Sequence, residues 1–135
     1  MRGVPVLYDA DCGFCRFCLA LLLTWDRRER LRPVALGSAE ADFLLGDMPL
    51  KERDQSWHVV IGGVVHSAGD AFPPLLRLLP AGRPPAALAA LFRRPTARGY
   101  RLVAGHRSQL GRLLPRSARR WADRRIEQRG VVPRS

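Results

Sequence analysis

Apolar and polar positions alternate between short blocks and helical stripes along this chain. Val4–Tyr8 is a continuous apolar block, as a buried strand requires, with Pro5 suited to its start or to an edge. Residues 9–13 read as a turn. Over Gly13–Trp25, Phe14, Phe17, Cys18, Leu21, Leu22 and Trp25 recur at helical spacing, and Leu19, Ala20 and Leu23 fill other faces. That predicts a helix covered on most sides. Residues 26–30 are a polar stop. Residues 31–36 read as a second strand. Ser38 then suits the N-cap of a helix through Leu45, followed by a polar connection over 46–55. Residues 56–61 and 64–66 are strands joined at Gly62-Gly63, a hairpin signal. Gly69-Asp70 opens a helix with Pro73-Pro74 in its first turn and Pro80 at its end. Further helices are expected over 84–92 and over 95–114, the second carrying the stripe Tyr100, Val103, Leu110, Leu113 and Leu114.

Strand, helix, strand, helix, hairpin, helix is an α/β order. The helical crossover makes the first two strands parallel, and the hairpin adds two antiparallel ones. The economical result is a small mixed four-stranded sheet with helices on both faces and extra helices at its C-terminal side.

At 135 residues the chain suits one domain. The longest apolar run, residues 17–25, falls far short of the ~20 residues that cross a bilayer. The N-terminus is interrupted by polar residues before an apolar signal region can form, so the expected location is the cytoplasm. The net charge of +11 is uneven. Residues 1–92 carry ten basic and ten acidic side chains, whereas residues 93–135 carry thirteen arginines against Asp123 and Glu127. Such a segment suits a solvated basic face. Its alternative is a binding module in which the basic segment docks nucleic acid, an anionic surface or an acidic partner.

All three cysteines, Cys12, Cys15 and Cys18, lie between the first strand and the middle of the first helix. Three is an odd number for a disulfide framework, and close cysteines in a reducing compartment point to catalysis or metal binding. Cys12 falls just before the helix and Cys15 in its first turn. There the unpaired N–H groups and the positive end of the dipole favour thiolate over thiol, the attacking species in disulfide exchange. The spacing asks for Cys12 as nucleophile and Cys15 as resolving thiol. Asp9 and Asp11 have two readings: proton transfer with Cys15, or capping of the helix and anchoring of the turn, with capping favoured for Asp11. Cys18 lies on the apolar stripe, as core filler or as a third working thiol. A metal cluster is the remaining use of the three sulfurs. It lacks a fourth ligand, His58, His66 and His106 are scattered, and each step of three residues turns about 300° around a helix axis.

With Asp9, Cys12 and Cys15 in place, the chain resembles the DCC family of thiol-disulfide oxidoreductases. The family hallmark, Asp-x-x-Cys-x-x-Cys directly after the first strand, is matched by Asp9-Ala10-Asp11-Cys12-Gly13-Phe14-Cys15. Ser56-Trp57-His58 with Gly62-Gly63, Gly69-Asp70-Ala71 with Leu79-Pro80, and Tyr100 with His106-Arg107 are similar to further parts of the family's pattern. The resemblance implies a thioredoxin-like domain over residues 1–114 and protein-disulfide reductase activity. It leaves residues 115–135 as a basic tail, partly helical or disordered. The activity it implies needs no bound cofactor. It takes a disulfide-containing protein or a small thiol substrate, and electrons from a reduced thioredoxin-like protein or a low-molecular-weight thiol. One departure stands out. Thioredoxin-like enzymes usually place a cis-proline just before the third strand, whereas residues 54–57 here read Asp-Gln-Ser-Trp. Ser56 or Trp57 takes that place beside the cysteines, the alternative for Trp57 being core packing.

Overall fold

A computed structural model describes residues 3–46 and 48–130. Asp47 of the expected polar connection and residues 131–135 of the expected tail lie outside the described residues. The chain begins with β1 (Val4–Tyr8), α1 (Gly13–Trp25) and β2 (Leu31–Ala35). β1 and β2 pair in parallel, from Val4 opposite Leu31 to Tyr8 opposite Ala35. α2 (Ala39–Leu45) follows, with Ser38 Oγ accepting from the Ala41 N–H at 3.2 Å as its cap. The polar connection contains a helix, α3 (Leu50–Gln55), which its lack of an apolar stripe concealed. β3 (His58–Ile61) and β4 (Val64–Ser67) form the hairpin, with both Gly62 and Gly63 at positive φ as its tight turn requires. The expected strand over 56–61 therefore starts at His58, and Ser56 and Trp57 lead into it. β3 runs antiparallel to β1, giving the order β2-β1-β3-β4.

A 3₁₀ turn (Ala68–Ala71), α4 (Phe72–Leu76) and α5 (Arg83–Leu91) come next, then α6 (Arg93–Gly105), α7 (Arg107–Leu113) and α8 (Arg116–Gly130). The single helix expected over 95–114 is thus two. At the break, His106 Nδ1 lies 2.8 Å from the Leu102 carbonyl, while the His106 N–H turns to the Val103 carbonyl at 3.1 Å. The ring has taken the acceptor that the next turn of backbone would use, and Gly105 beside it adds little helix propensity.

The two faces of the sheet follow from strand alternation. Val6 and Val59 pack with Leu19 and Leu23 of α1, Leu75 of α4 and Ile126 of α8. Leu7 and Val34 pack with Ala41 and Leu45 of α2. Helices cover both faces, and the fold is the mixed α/β arrangement of the thioredoxin-like class.

α8 adopts the helical alternative for the basic segment and lies along α1. It buries Ala122 and Ile126. The Trp121 ring meets Phe17 edge-on at 5.9 Å. Two of its basic side chains turn onto the N-terminal half of the chain and a third onto α7. Arg119 donates to the Gly111 carbonyl, Arg125 Nε to Thr24 Oγ1 at 3.1 Å, and Arg129 Nη1 to the buried Asp26 carboxylate at 2.7 Å. Asp26 also accepts from the Arg30 and Leu31 N–H groups, at 3.1 and 2.8 Å. The end of α1, the start of β2 and the end of α8 are therefore fastened at one point. Among the described residues no helix is long and apolar enough to cross a membrane.

Candidate active site

β1 delivers the chain to the carboxyl edge of the sheet, where Asp9 turns it into α1. Asp9 Oδ1 accepts from the Asp11 N–H at 3.0 Å, and the Asp9 carbonyl accepts from the Cys12 N–H at 3.2 Å. This local turn is what a short carboxylate side chain supplies. Cys12 is extended and occupies the N-cap position itself, its Sγ accepting from the Cys15 N–H at 3.3 Å. The capping role expected for Asp11 thus falls to Cys12, and Asp11 is exposed. An N–H group and the positive end of α1 both meet charge that develops on Cys12 Sγ.

All three cysteines are partly buried, and no disulfide links them. Burial, the Cys15 hydrogen bond to Cys12 and the charge of Cys12 push the Cys15 thiol up to about 12, against the opposing pull of Arg107. Burial, with the charge of Cys12, pushes Cys18 up to about 11. Both are thiols at neutral pH.

A mostly apolar pocket of about 340 Å³ opens beside them. Asp9, Cys15, Cys18, Ser56 and Trp57 all contribute to its wall, together with Phe14, Phe72 and Tyr100. Five of the residues singled out in the sequence therefore come together there. Cys18 is partly buried and lines this space, as the core residues Val6 and Leu19 also do. Trp57 both lines the space and packs against the core. Its indole N–H donates to the Ala68 carbonyl at 3.1 Å, its ring tilts against Phe72 at 5.1 Å, and its backbone N–H donates to the Tyr100 hydroxyl at 3.2 Å. Burial pushes the Tyr100 hydroxyl up, leaving it neutral. Cys12 is outside the pocket wall and meets it through Cys15.

The sequence reading gave no role to Arg107, the first residue of α7. Its Nη1 lies 4.0 Å from Cys15 Sγ and its Nη2 3.7 Å from Asp9 Oδ2. The only signal for it was the stretch His106-Arg107 shared with the family pattern, because nothing local ties it to a cysteine 92 positions earlier. α7 packs on α1 at Gly111, where a Cβ would stand in ordinary contact, 3.4 Å from the Phe14 nitrogen. Among the described residues no group of three or more His, Cys, Asp or Glu side chains is placed to hold a metal ion.

Comparison with known proteins gives one match. A family model described as DCC1-like thiol-disulfide oxidoreductase covers residues 6–113, well over half of the chain. No curated protein and no solved structure matches.

Proposed function

The chain belongs to the DCC1-like thiol-disulfide oxidoreductase family, and on that premise we propose that it reduces disulfides with its own Cys12–Cys15 pair. The observation that carries this reading is the contact at the start of α1. Cys12 Sγ accepts the Cys15 N–H there, beside a Cys15 thiol that stays protonated until it is needed. Cys12 as thiolate attacks one sulfur of the substrate disulfide. A Cys12–substrate disulfide forms, and the first substrate thiolate leaves and is protonated by water. Cys15 then gives its proton to Asp9 and attacks Cys12 Sγ. The internal disulfide closes, and the second substrate sulfur leaves with the proton that Asp9 returns. Two electrons pass from the pair to the substrate, and a reduced thioredoxin-like protein or a low-molecular-weight thiol restores them. No bound cofactor enters the scheme. The apolar wall formed by Trp57, Phe72 and Tyr100, with Ser56 at its edge, holds the apolar flank of a disulfide-bearing protein or small molecule beside Cys15. We place this chemistry in the cytoplasm, where reduced thiols are available.

The test is thiol trapping with intact mass across a glutathione redox series. The expected outcome is a reversible loss of two hydrogens in the wild type and in Cys18→Ser, but not in Cys12→Ser. Cys15→Ser is expected to hold a substrate as a stable mixed disulfide. Disulfide reduction by Cys12→Ser at the wild-type rate would refute the assignment.

One observation favours a second reading, the anionic-partner module. Arg116, Arg120 and Arg124 form an exposed stripe along the outer side of α8, one turn apart. Binding of an anionic polymer that weakens steeply with salt and is lost in an Arg116/Arg120/Arg124→Gln variant would support it.

A further inference from the structure

We propose that Arg107 is a working member of the redox site: it carries the charge that appears on Cys15 when that thiol resolves the mixed disulfide. The inference rests on the exchange scheme above and adds a residue to it.

A resolving thiol must ionise at the moment of attack. Burial works against that at Cys15. A cation beside the sulfur stabilises the thiolate and leaves the neutral thiol almost untouched, so its effect falls on the reacting state. Arg107 meets the requirement. A guanidinium is always charged and presents N–H donors in a planar fork. Here one arm faces Cys15 Sγ at 4.0 Å and the other Asp9 Oδ2 at 3.7 Å, so a single group spans the thiol and the carboxylate that exchange a proton. The side chain is about a quarter exposed, at 28%, so water screens it only in part.

Helix stability does not explain this placement. A cation in the first turn of a helix opposes the helix dipole, and Arg107 is the first residue of α7. The break at His106 is what puts it there. α6 stops at Gly105, and the new helix packs on the start of α1 at Gly111, whose carbonyl also accepts from Arg119. A prop for the Asp9 turn is the structural alternative, and the two roles differ in which chemical step they touch.

The experiment follows the full chain reacting with 2,2′-dithiodipyridine, a neutral disulfide whose binding does not depend on a cation. Attack by Cys12 releases the first thiopyridone, and resolution by Cys15 releases the second. Arg107→Ala and Arg107→Gln are expected to keep the first release within about twofold and to slow the second by about tenfold or more, the equivalent of one pKa unit at Cys15. The pH profile of the second release is expected to move to higher pH, and Arg107→Lys to restore most of the rate. Arg107→Gln keeps part of the stem and an amide donor group, and decides the matter if the alanine variant does not keep its fold. Equal slowing of both releases, or no change in the second, overturns the role of Arg107. Rapid release of two equivalents by Cys12→Ser would overturn the exchange scheme itself, whatever Arg107 does.

Discussion

At the residue scale the three sulfurs differ by environment. Cys15 and Cys18 are held as thiols, mainly by burial, so iodoacetamide is expected to modify them slowly at pH 8. Their rates should climb about tenfold per pH unit as the thiolate fraction grows, Cys18 levelling off before Cys15. Peptide mass mapping of a pH series checks this, and fast labelling of Cys15 at neutral pH would contradict it. His58 makes a different prediction. It is buried on β3, with Nδ1 2.6 Å from Ser67 Oγ and Nε2 3.0 Å from the Arg53 carbonyl. Burial holds its pKa below the ordinary 6.5. The unfolded chain therefore binds the proton first as pH falls. The stability tied to neutral His58 is fully present above pH 6.5 and drains away as pH drops below it towards the folded value. Melting temperatures from pH 8 to pH 5 should show that loss, and His58→Gln should flatten it. The grouping of Asp9, Cys12 and Cys15 at the start of α1 was legible because they lie within seven positions of one another. Arg107 was not, because its partners are joined to it only by the packing of α7 on α1.

At the element scale, close backbone approaches decide what sits beside the sheet. Gly69 in the 3₁₀ turn is buried, and a Cβ there would stand 2.9 Å from the Ala97 Cα of α6. Gly69→Ala is expected to push α6 outward and disturb Tyr100, whose hydroxyl receives the Trp57 N–H. Lower stability by about 1–3 kcal/mol is the expected reading from urea unfolding, the usual cost of overpacking. Apolar periodicity exposed β1, α1 and the hairpin plainly. It could not reveal the break at His106, because a helical stripe continues in register across a side chain that takes one carbonyl. Nor could it reveal α3, whose Lys51, Glu52 and Arg53 carry no stripe.

For the whole molecule, the basic segment is a building part. Ala122 and Ile126 are the two residues of α8 that enter the core, too few among arginines for a pattern to announce them. The Asp26 carboxylate is fully buried, with 0% exposure, and Arg129 is the side chain that balances it. Arg129→Ala leaves that charge without its cation and is expected to cost about 3–5 kcal/mol, measured by chemical unfolding. Truncation before Arg116 strips cover from Leu19 and Leu23 as well and is expected to abolish the cooperative melt.

The fastening of Asp26 to Arg129 also orders events in time. The two residues stand 103 positions apart. At about 5–20 residues per second, a ribosome needs roughly 5–20 s to deliver the second after the first. For most of that interval the nascent chain already carries Cys12, Cys15 and Cys18 without α7 and α8, the two helices that pack on α1. The cysteine-bearing start of α1 is thus translated well before the helices that pack on it, and its surroundings are completed late.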